Sequence, residues 1–137
     1  MDSTSTFTEG QRGRMDEHDR PVVSVVDDDE SLRRSLRNLL RSVGFGVETF
    51  ASAEEFLRSA HRGSTGCLVL DLRMSGMSGL DLLRQLAVED SHIPVVILTA
   101  HSDGETRRRS LQAGAVAFLD KPFRSDALLD AVRAALR

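Results

Sequence analysis

Short apolar runs alternate with segments of helical periodicity along most of the chain. The runs cover residues 22–26, 67–70, 95–98 and 115–119, and residues 45–50 form a further short segment with partial alternation. Runs of this length between turn residues are typical of strands that are buried on both faces of a parallel sheet. The pattern predicts five strands alternating with five helices, which requires helices on both faces of the sheet and right-handed crossovers.

Residues at the ends of the periodic segments indicate where the helices begin and end. Ser52 and Ser78 are each followed three residues later by an acid, which is the signature of a capping box. Ser125 is predicted to cap the last helix, and Gly44 is predicted to end the first one in a left-handed conformation.

The fourth helix, predicted at residues 103–113, has an unusual buried face. Apolar spacing places Leu111 toward the sheet. The residues three, four and seven positions before it are Arg108, Arg107 and Gly104. We therefore expect a helix that forms locally but packs weakly against the sheet.

Composition restricts the class of protein. The chain has 137 residues, of which 40% are hydrophobic and 28% charged, and a formal net charge of −3, so we expect one domain with a proper core. No apolar run approaches the roughly 18 residues that span a membrane, and the polar N-terminus does not resemble a signal peptide. A cytoplasmic protein without membrane contact is expected, with residues 1–20 as a disordered extension.

The single cysteine, Cys67, lies in an apolar run and is predicted to be a buried structural thiol.

Polar residues follow the predicted strands at their carboxyl ends. Asp27 and Asp28 follow the first strand, Asp71 the third, Thr99 ends the fourth and Lys121 follows the fifth. In a parallel sheet these ends share one edge, and clustered carboxylates require a compensating cation. Oxygen ligands favour Mg²⁺. A carboxylate there can attack phosphorus, with an ammonium and a hydroxyl stabilising the transferred group. The sequence thus predicts phosphoryl transfer to Asp71.

Four motifs together resemble the response-regulator receiver domain of bacterial two-component signalling, over about residues 21–137. The motifs are Val25-Val26-Asp27-Asp28, Leu70-Asp71-Leu72-Arg73-Met74 with Met77-Ser78-Gly79, Leu98-Thr99-Ala100, and Lys121-Pro122-Phe123. The resemblance implies a flavodoxin-like (βα)5 three-layer sandwich with strand order 2-1-3-4-5. It also implies that Asp71 accepts a phosphoryl group from a sensor histidine kinase or a phosphotransfer protein.

The resemblance also assigns roles to individual residues. It implies Mg²⁺ bound by Asp28, Asp71 and the main-chain carbonyl of Arg73, with Asp27 acting through water. Thr99 and Lys121 would hold the phosphoryl oxygens. Further implied features are an aromatic switch at Phe118 and a cis peptide between Lys121 and Pro122.

In the resembled family the fourth helix, fifth strand and fifth helix form the face that partners read. A downstream protein or an output domain absent from this chain would therefore receive the signal. DNA binding belongs to such an output domain, so we expect no nucleic-acid binding by this chain.

The sequence also departs from the family pattern, and two alternative functions remain. Ser75 stands where the family usually has proline, so the loop after Asp71 should be looser. A small phosphatase with an Asp nucleophile, of the haloacid dehalogenase type, would want a second acid where Arg73 stands. A flavodoxin-like cofactor binder would want a phosphate-binding loop where the chain has four consecutive acids, and an aromatic residue to stack on a flavin, whereas Trp and Tyr are absent from the sequence.

Overall fold

The computed structural model describes residues 20–100 and 102–137, and within them the chain forms five β-strands, five α-helices and a 3-10 helix. In chain order these are β1 (Val22–Val26), α1 (Glu30–Ser42), β2 (Gly46–Phe50), α2 (Ala53–Arg58), the 3-10 helix (Arg62–Ser64), β3 (Cys67–Leu70), α3 (Gly79–Val88), β4 (Val95–Thr99), α4 (Gly104–Gln112), β5 (Ala117–Asp120) and α5 (Ser125–Leu136). The predicted alternation of strands and helices is confirmed. The predicted disordered extension, residues 1–20, lies outside the described residues except for Arg20.

The strands form one parallel sheet in the order β2-β1-β3-β4-β5. This is the expected order 2-1-3-4-5, so the flavodoxin-like topology is confirmed. The chain direction across the sheet reverses between β1 and β3, because β2 lies on one side of β1 and β3 on the other. In open α/β sheets such a reversal leaves a crevice at the carboxyl ends of the strands.

The central position of β3 in the sheet explains why its sequence is apolar throughout. Leu68 and Leu70 face a cluster that includes Phe56 of α2 and Leu82 of α3. Cys67 and Val69 face a second cluster, which includes Leu36 of α1 and Leu128 of α5. The sheet is therefore covered by α1 and α5 on one face and by α2 and α3 on the other, and β3 has no face left for polar side chains.

Most of the predicted helix ends are confirmed. The Ser78 hydroxyl accepts from the Asp81 amide at 3.1 Å, and the Asp81 carboxylate accepts from the Ser78 amide, which completes a capping box. Gly44 follows α1 with φ +101°, as predicted. The cap predicted at Ser125 is wrong, since the extended residue before α5 is Arg124 and Ser125 is already the first helical residue. A hydroxyl at that position comes too late to accept from the free amides of the first turn.

The predicted buried face of α4 is also wrong. Leu111 is 43% exposed, whereas Ser110 is fully buried. Burial of Ser110 leaves no hydroxyl unsatisfied, because Ser110 Oγ donates to the Thr106 carbonyl at 2.9 Å. Ser110 is the residue of α4 that the structure buries, and the expected weak packing of this helix stays a prediction. In the described part of the chain, no helix is long and apolar enough to cross a membrane.

Candidate functional site

The predicted site residues meet at the carboxyl edge of the sheet. Asp27 and Asp71 directly follow β1 and β3, Thr99 is the last residue of β4, and Lys121 directly follows β5. Main-chain hydrogen bonds continue the strand ladder into the site, because the Asp71 amide donates to the Val26 carbonyl at 3.0 Å and the Lys121 amide to the Thr99 carbonyl at 2.9 Å. The sheet therefore fixes the backbone positions of Asp71 and Lys121.

Three carboxylates form a compact acidic cluster. Asp27, Asp28 and Asp71 each offer an oxygen, and these oxygens lie within 4.8 Å of one another. Asp27 and Asp71 are 2% and 7% exposed, whereas Asp28 lies on the solvent side. Such a group is mutually repulsive, and its donor set matches a hard divalent cation.

Lys121 supplies a positive charge to this cluster. Its Nζ donates to Asp27 Oδ2 at 2.8 Å and to Asp71 Oδ2 at 3.3 Å. Burial raises the pKa of Asp27, although hydrogen bonds from Lys121 and the Asp29 amide lower it in part. Burial alone lowers the pKa of Lys121, but the hydrogen bond and charge of Asp27, together with Asp71, outweigh that effect and raise the pKa. The ammonium therefore stays charged at neutral pH.

The two oxygens of Asp71 differ in their surroundings. Oδ2 accepts from Lys121, whereas Oδ1 is buried and accepts no hydrogen bond from the described residues. A buried, unsatisfied carboxylate oxygen is costly. It is therefore the atom in this cluster best placed to bind a cation or to form a bond to an electrophile.

The side chain and the carbonyl of Asp27 are held by Asp29, the N-cap of α1, and by Arg33 within that helix. Asp27 Oδ1 accepts from the Asp29 amide at 2.9 Å, and Arg33 Nη1 donates to the Asp27 carbonyl at 2.7 Å. Asp29 in turn caps α1 by accepting from the Leu32 amide at 3.2 Å. Consecutive acids after β1 therefore have different surroundings, with Asp27 in the cluster and Asp29 at the helix terminus.

Thr99 and Phe118 lie on the neighbouring strands β4 and β5. Thr99 is fully buried and Phe118 is 6% exposed, so the Phe118 ring points into the protein. The guanidinium carbon of Arg107 in α4 lies 5.4 Å from the centre of that ring, within the range of a cation–π contact. The proposed switching role of Phe118 stays a prediction.

The loop between β3 and α3 approaches the Asp71 backbone closely. The Gly79 amide donates to the Leu72 carbonyl at 2.9 Å, and a Cβ on Gly79 would lie 2.0 Å from the Asp71 carbonyl oxygen. Arg73 lies in this loop and is exposed, and the role of its carbonyl as a metal ligand stays a prediction. The peptide bond between Lys121 and Pro122, directly after β5, is cis.

Sequence reasoning missed one contact beside the site. Glu54 of α2 accepts a hydrogen bond through Oε2 from the Met77 amide at 2.9 Å, across 23 residues of sequence. No apolar periodicity signals a partner that is a backbone amide. The only available hint was the pair Ser75 and Gly76, two residues that leave a loop in need of external support.

The comparisons with known proteins agree with this arrangement. The family model described as the response regulator receiver domain matches residues 23–133. Nodulation protein W of Bradyrhizobium diazoefficiens is 50% identical over 126 residues, covering 92% of this chain and 56% of that protein. Response regulator protein TodT of Pseudomonas putida is 45% identical over 116 residues, covering 85% of this chain and 51% of that protein. The chain thus spans about half the length of the curated relatives it matches.

A solved structure extends the likeness to three dimensions. The response regulator StyR is 53% identical with a TM-score of 0.79, over 85% of this chain and 59% of that chain. This likeness agrees with the sheet order, with the acidic cluster at the strand ends and with the family match over residues 23–133. The chain therefore belongs to the family of response regulator receiver domains, which are phosphorylatable signalling domains.

Proposed function

We propose that the chain accepts a phosphoryl group on Asp71 from a phosphohistidine of a sensor histidine kinase or of a phosphotransfer protein. The observation that carries the proposal is Asp71 Oδ1, which is buried without a hydrogen-bond donor among the described residues while Oδ2 is held by Lys121. An oriented carboxylate with one uncommitted oxygen is suited to nucleophilic attack.

The reaction forms one bond and breaks another. An Asp71 carboxylate oxygen attacks the phosphorus, an O–P bond forms, the N–P bond to the donor imidazole breaks, and the imidazole nitrogen keeps the electron pair. Lys121 lies 3.3 Å from Asp71 and can contact the phosphoryl oxygens as charge develops on them. Thr99, at the end of the adjacent strand, is assigned the corresponding hydroxyl contact.

The acidic cluster fits a divalent cation. Asp27, Asp28 and Asp71 offer oxygens within 4.8 Å of one another, and Mg²⁺ prefers a few carboxylates together with water and phosphate oxygens. In the proposal Asp28, Asp71 and the main-chain carbonyl of Arg73 hold Mg²⁺, with Asp27 acting through water. When bound, the ion would neutralise charge on the phosphoryl group.

The proposed output uses the α4, β5 and α5 face. Arg107 of α4 contacts Phe118 of β5, so a movement of either element alters the surface that the other presents. The signal passes to a downstream protein or to an output domain. The proposal includes the expected cytoplasmic location, no membrane contact and no direct nucleic-acid contact by this chain. It treats the chain as a phosphoacceptor and not as an enzyme acting on other substrates.

The experiment is phosphorylation by a small-molecule phosphodonor with Mg²⁺, followed by intact mass and peptide mapping. We expect one phosphoryl group on the wild type, none on Asp71→Asn, and unchanged labelling of the control Asp130→Asn, which alters an exposed acid of α5. Labelling of Asp71→Asn at the wild-type level would refute the assignment.

Lys121→Ala tests the role that we propose for Lys121. This variant should keep the fold but lose the coupling between phosphorylation and partner binding, as measured by comparing partner affinity before and after phosphorylation. A partner affinity that responds to phosphorylation as in the wild type would remove Lys121 from the proposal.

A further inference from the structure

The loop between β3 and α3 has few contacts of its own. Arg73, Ser75 and Gly76 are exposed, while the side chains of Met74 and Met77 are partly buried against the core. Ser75 leaves its φ angle unrestricted, in contrast to the proline that the family pattern favours at this position. A contact from outside the loop is therefore needed to limit its conformations if the Arg73 carbonyl is to be held beside Asp71, as the proposed function requires.

Glu54 of α2 provides that contact. Its Oε2 accepts from the Met77 amide at 2.9 Å. Gly76 adopts φ +77°, and a Cβ there would lie 2.7 Å from the same Glu54 oxygen. The carboxylate and the turn therefore fit against each other, with Gly76 providing both the left-handed conformation and the space.

The contact is charge-assisted. The hydrogen bond from the Met77 amide, with the backbone amide of Glu54 and the charge of Arg58, lowers the pKa of Glu54 below its ordinary value. The carboxylate is therefore ionised at neutral pH, and hydrogen bonds to ionised acceptors are stronger than neutral ones. Glu54 is itself fixed by its place in the first turn of α2, which Ser52 caps.

We infer that Glu54 is a positioning residue for the phosphoacceptor site, which holds the turn at residues 74–77 and thereby the Arg73 carbonyl. The inference rests on the proposed function, because it assumes that this carbonyl is a ligand of the metal. Glu54 acts through the loop backbone, as residues that hydrogen-bond to metal ligands and orient them do.

The test compares Glu54→Ala and Glu54→Gln with a matched control, Glu55→Ala. Glu55 is the next acid of the same helix, and its carboxylate accepts locally from the Ala51 amide at 3.0 Å. Two quantities are measured: hydrogen exchange of the Met77 amide without metal, and Mg²⁺ affinity by calorimetry.

We expect Glu54→Ala to expose the Met77 amide to exchange and to weaken Mg²⁺ binding about tenfold. Glu54→Gln keeps an acceptor oxygen and should rescue binding to within about threefold of the wild type, since a neutral acceptor is weaker by about half. Glu55→Ala should leave both readouts at wild-type values.

Two results would overturn the inference. One is Mg²⁺ affinity in Glu54→Ala equal to the wild type despite an exposed Met77 amide. The other is an equal loss in Glu55→Ala, which would indicate general destabilisation of α2. Wild-type protein that binds Mg²⁺ but accepts no phosphoryl group would overturn the proposed function alone, because the affinities of the Glu54 variants still decide the role of Glu54.

Discussion

Replacing Asp71 by Asn should stabilise the metal-free protein by about 1 kcal/mol. The oxygens of Asp27, Asp28 and Asp71 lie within 4.8 Å of one another. At an effective dielectric constant of about 20, two unit charges at that distance repel by about 3.5 kcal/mol. Lys121, 3.3 Å from Asp71, attracts it by about 5 kcal/mol on the same scale. Two repulsions, the one from exposed Asp28 being screened, nearly balance this attraction, and the desolvation cost of buried Asp71 adds a net penalty that Asn removes.

The same variant should lose most of its response to Mg²⁺. A ligand that binds only the folded state adds RT ln(1 + [L]/Kd), which is about 1.4 kcal/mol at ten times Kd. For a domain of this size that corresponds to a rise of about 5 °C in Tm. Asp71→Asn removes one of the charged ligands that we propose for Mg²⁺, so we expect a rise of less than about 2 °C at the same Mg²⁺ concentration.

Thermal unfolding followed by circular dichroism is the appropriate assay, since Trp and Tyr are absent from the sequence and intrinsic fluorescence is weak. Each protein is melted in MgCl2 and in NaCl of matched ionic strength. Asp130→Asn controls for the change in net charge and should keep the full Mg²⁺ response. A wild-type Tm that is indifferent to Mg²⁺, or an equal rise in Asp71→Asn, would refute the reasoning.

Further predictions concern thiol reactivity, loop packing and the stability of α4. Burial raises the pKa of Cys67 to about 12, so the thiol stays protonated below pH 9. Ellman's reagent should therefore label Cys67 only in denaturant, and rapid labelling of the native protein would contradict this prediction. Gly79→Ala should destabilise the fold by more than about 3 kcal/mol or displace the loop, because its Cβ would lie 2.0 Å from the Asp71 carbonyl oxygen. Gly63→Ala is the control, since nothing lies within 4 Å of a Cβ on Gly63. Chemical denaturation measures the stabilities of the two variants, and equal values would refute the prediction. Hydrogen exchange should be faster in α4 than in α1, because Ser110 is the residue of α4 that the structure buries; equal protection in the two helices would show that α4 is firmly docked.

The sequence pattern predicted the middle of the sheet because β3 and β4 are buried on both faces. β3 is the clearest case, with Leu68 and Leu70 in one cluster and Cys67 and Val69 in the other. The positions of the acids followed from the same logic, since a parallel sheet brings the residues after its strands to one edge. The pattern could therefore predict which residues meet.

The pattern failed where a local contact outweighed side-chain size. Leu111 was expected to be buried because it is the large apolar residue of α4, but Ser110 takes that place by satisfying its hydroxyl at the Thr106 carbonyl. Glu54 was missed for another reason, because its partner is the backbone amide of Met77. Backbone groups carry no sequence identity, so spacing rules cannot reveal such contacts.

The contacts of Lys121 have a consequence for the order of folding. Its partners Asp27 and Asp71 lie 94 and 50 residues earlier in the chain, and β5 is an edge strand that pairs with β4 alone. Closing such long loops is entropically costly and is repaid only when the last strand joins the sheet. In an emerging polypeptide, β1 and β3 already carry their acids while the ammonium that offsets them is still missing. The ion pairs of Lys121 with Asp27 and Asp71 are therefore formed last, and they require that the whole chain through β5 has folded.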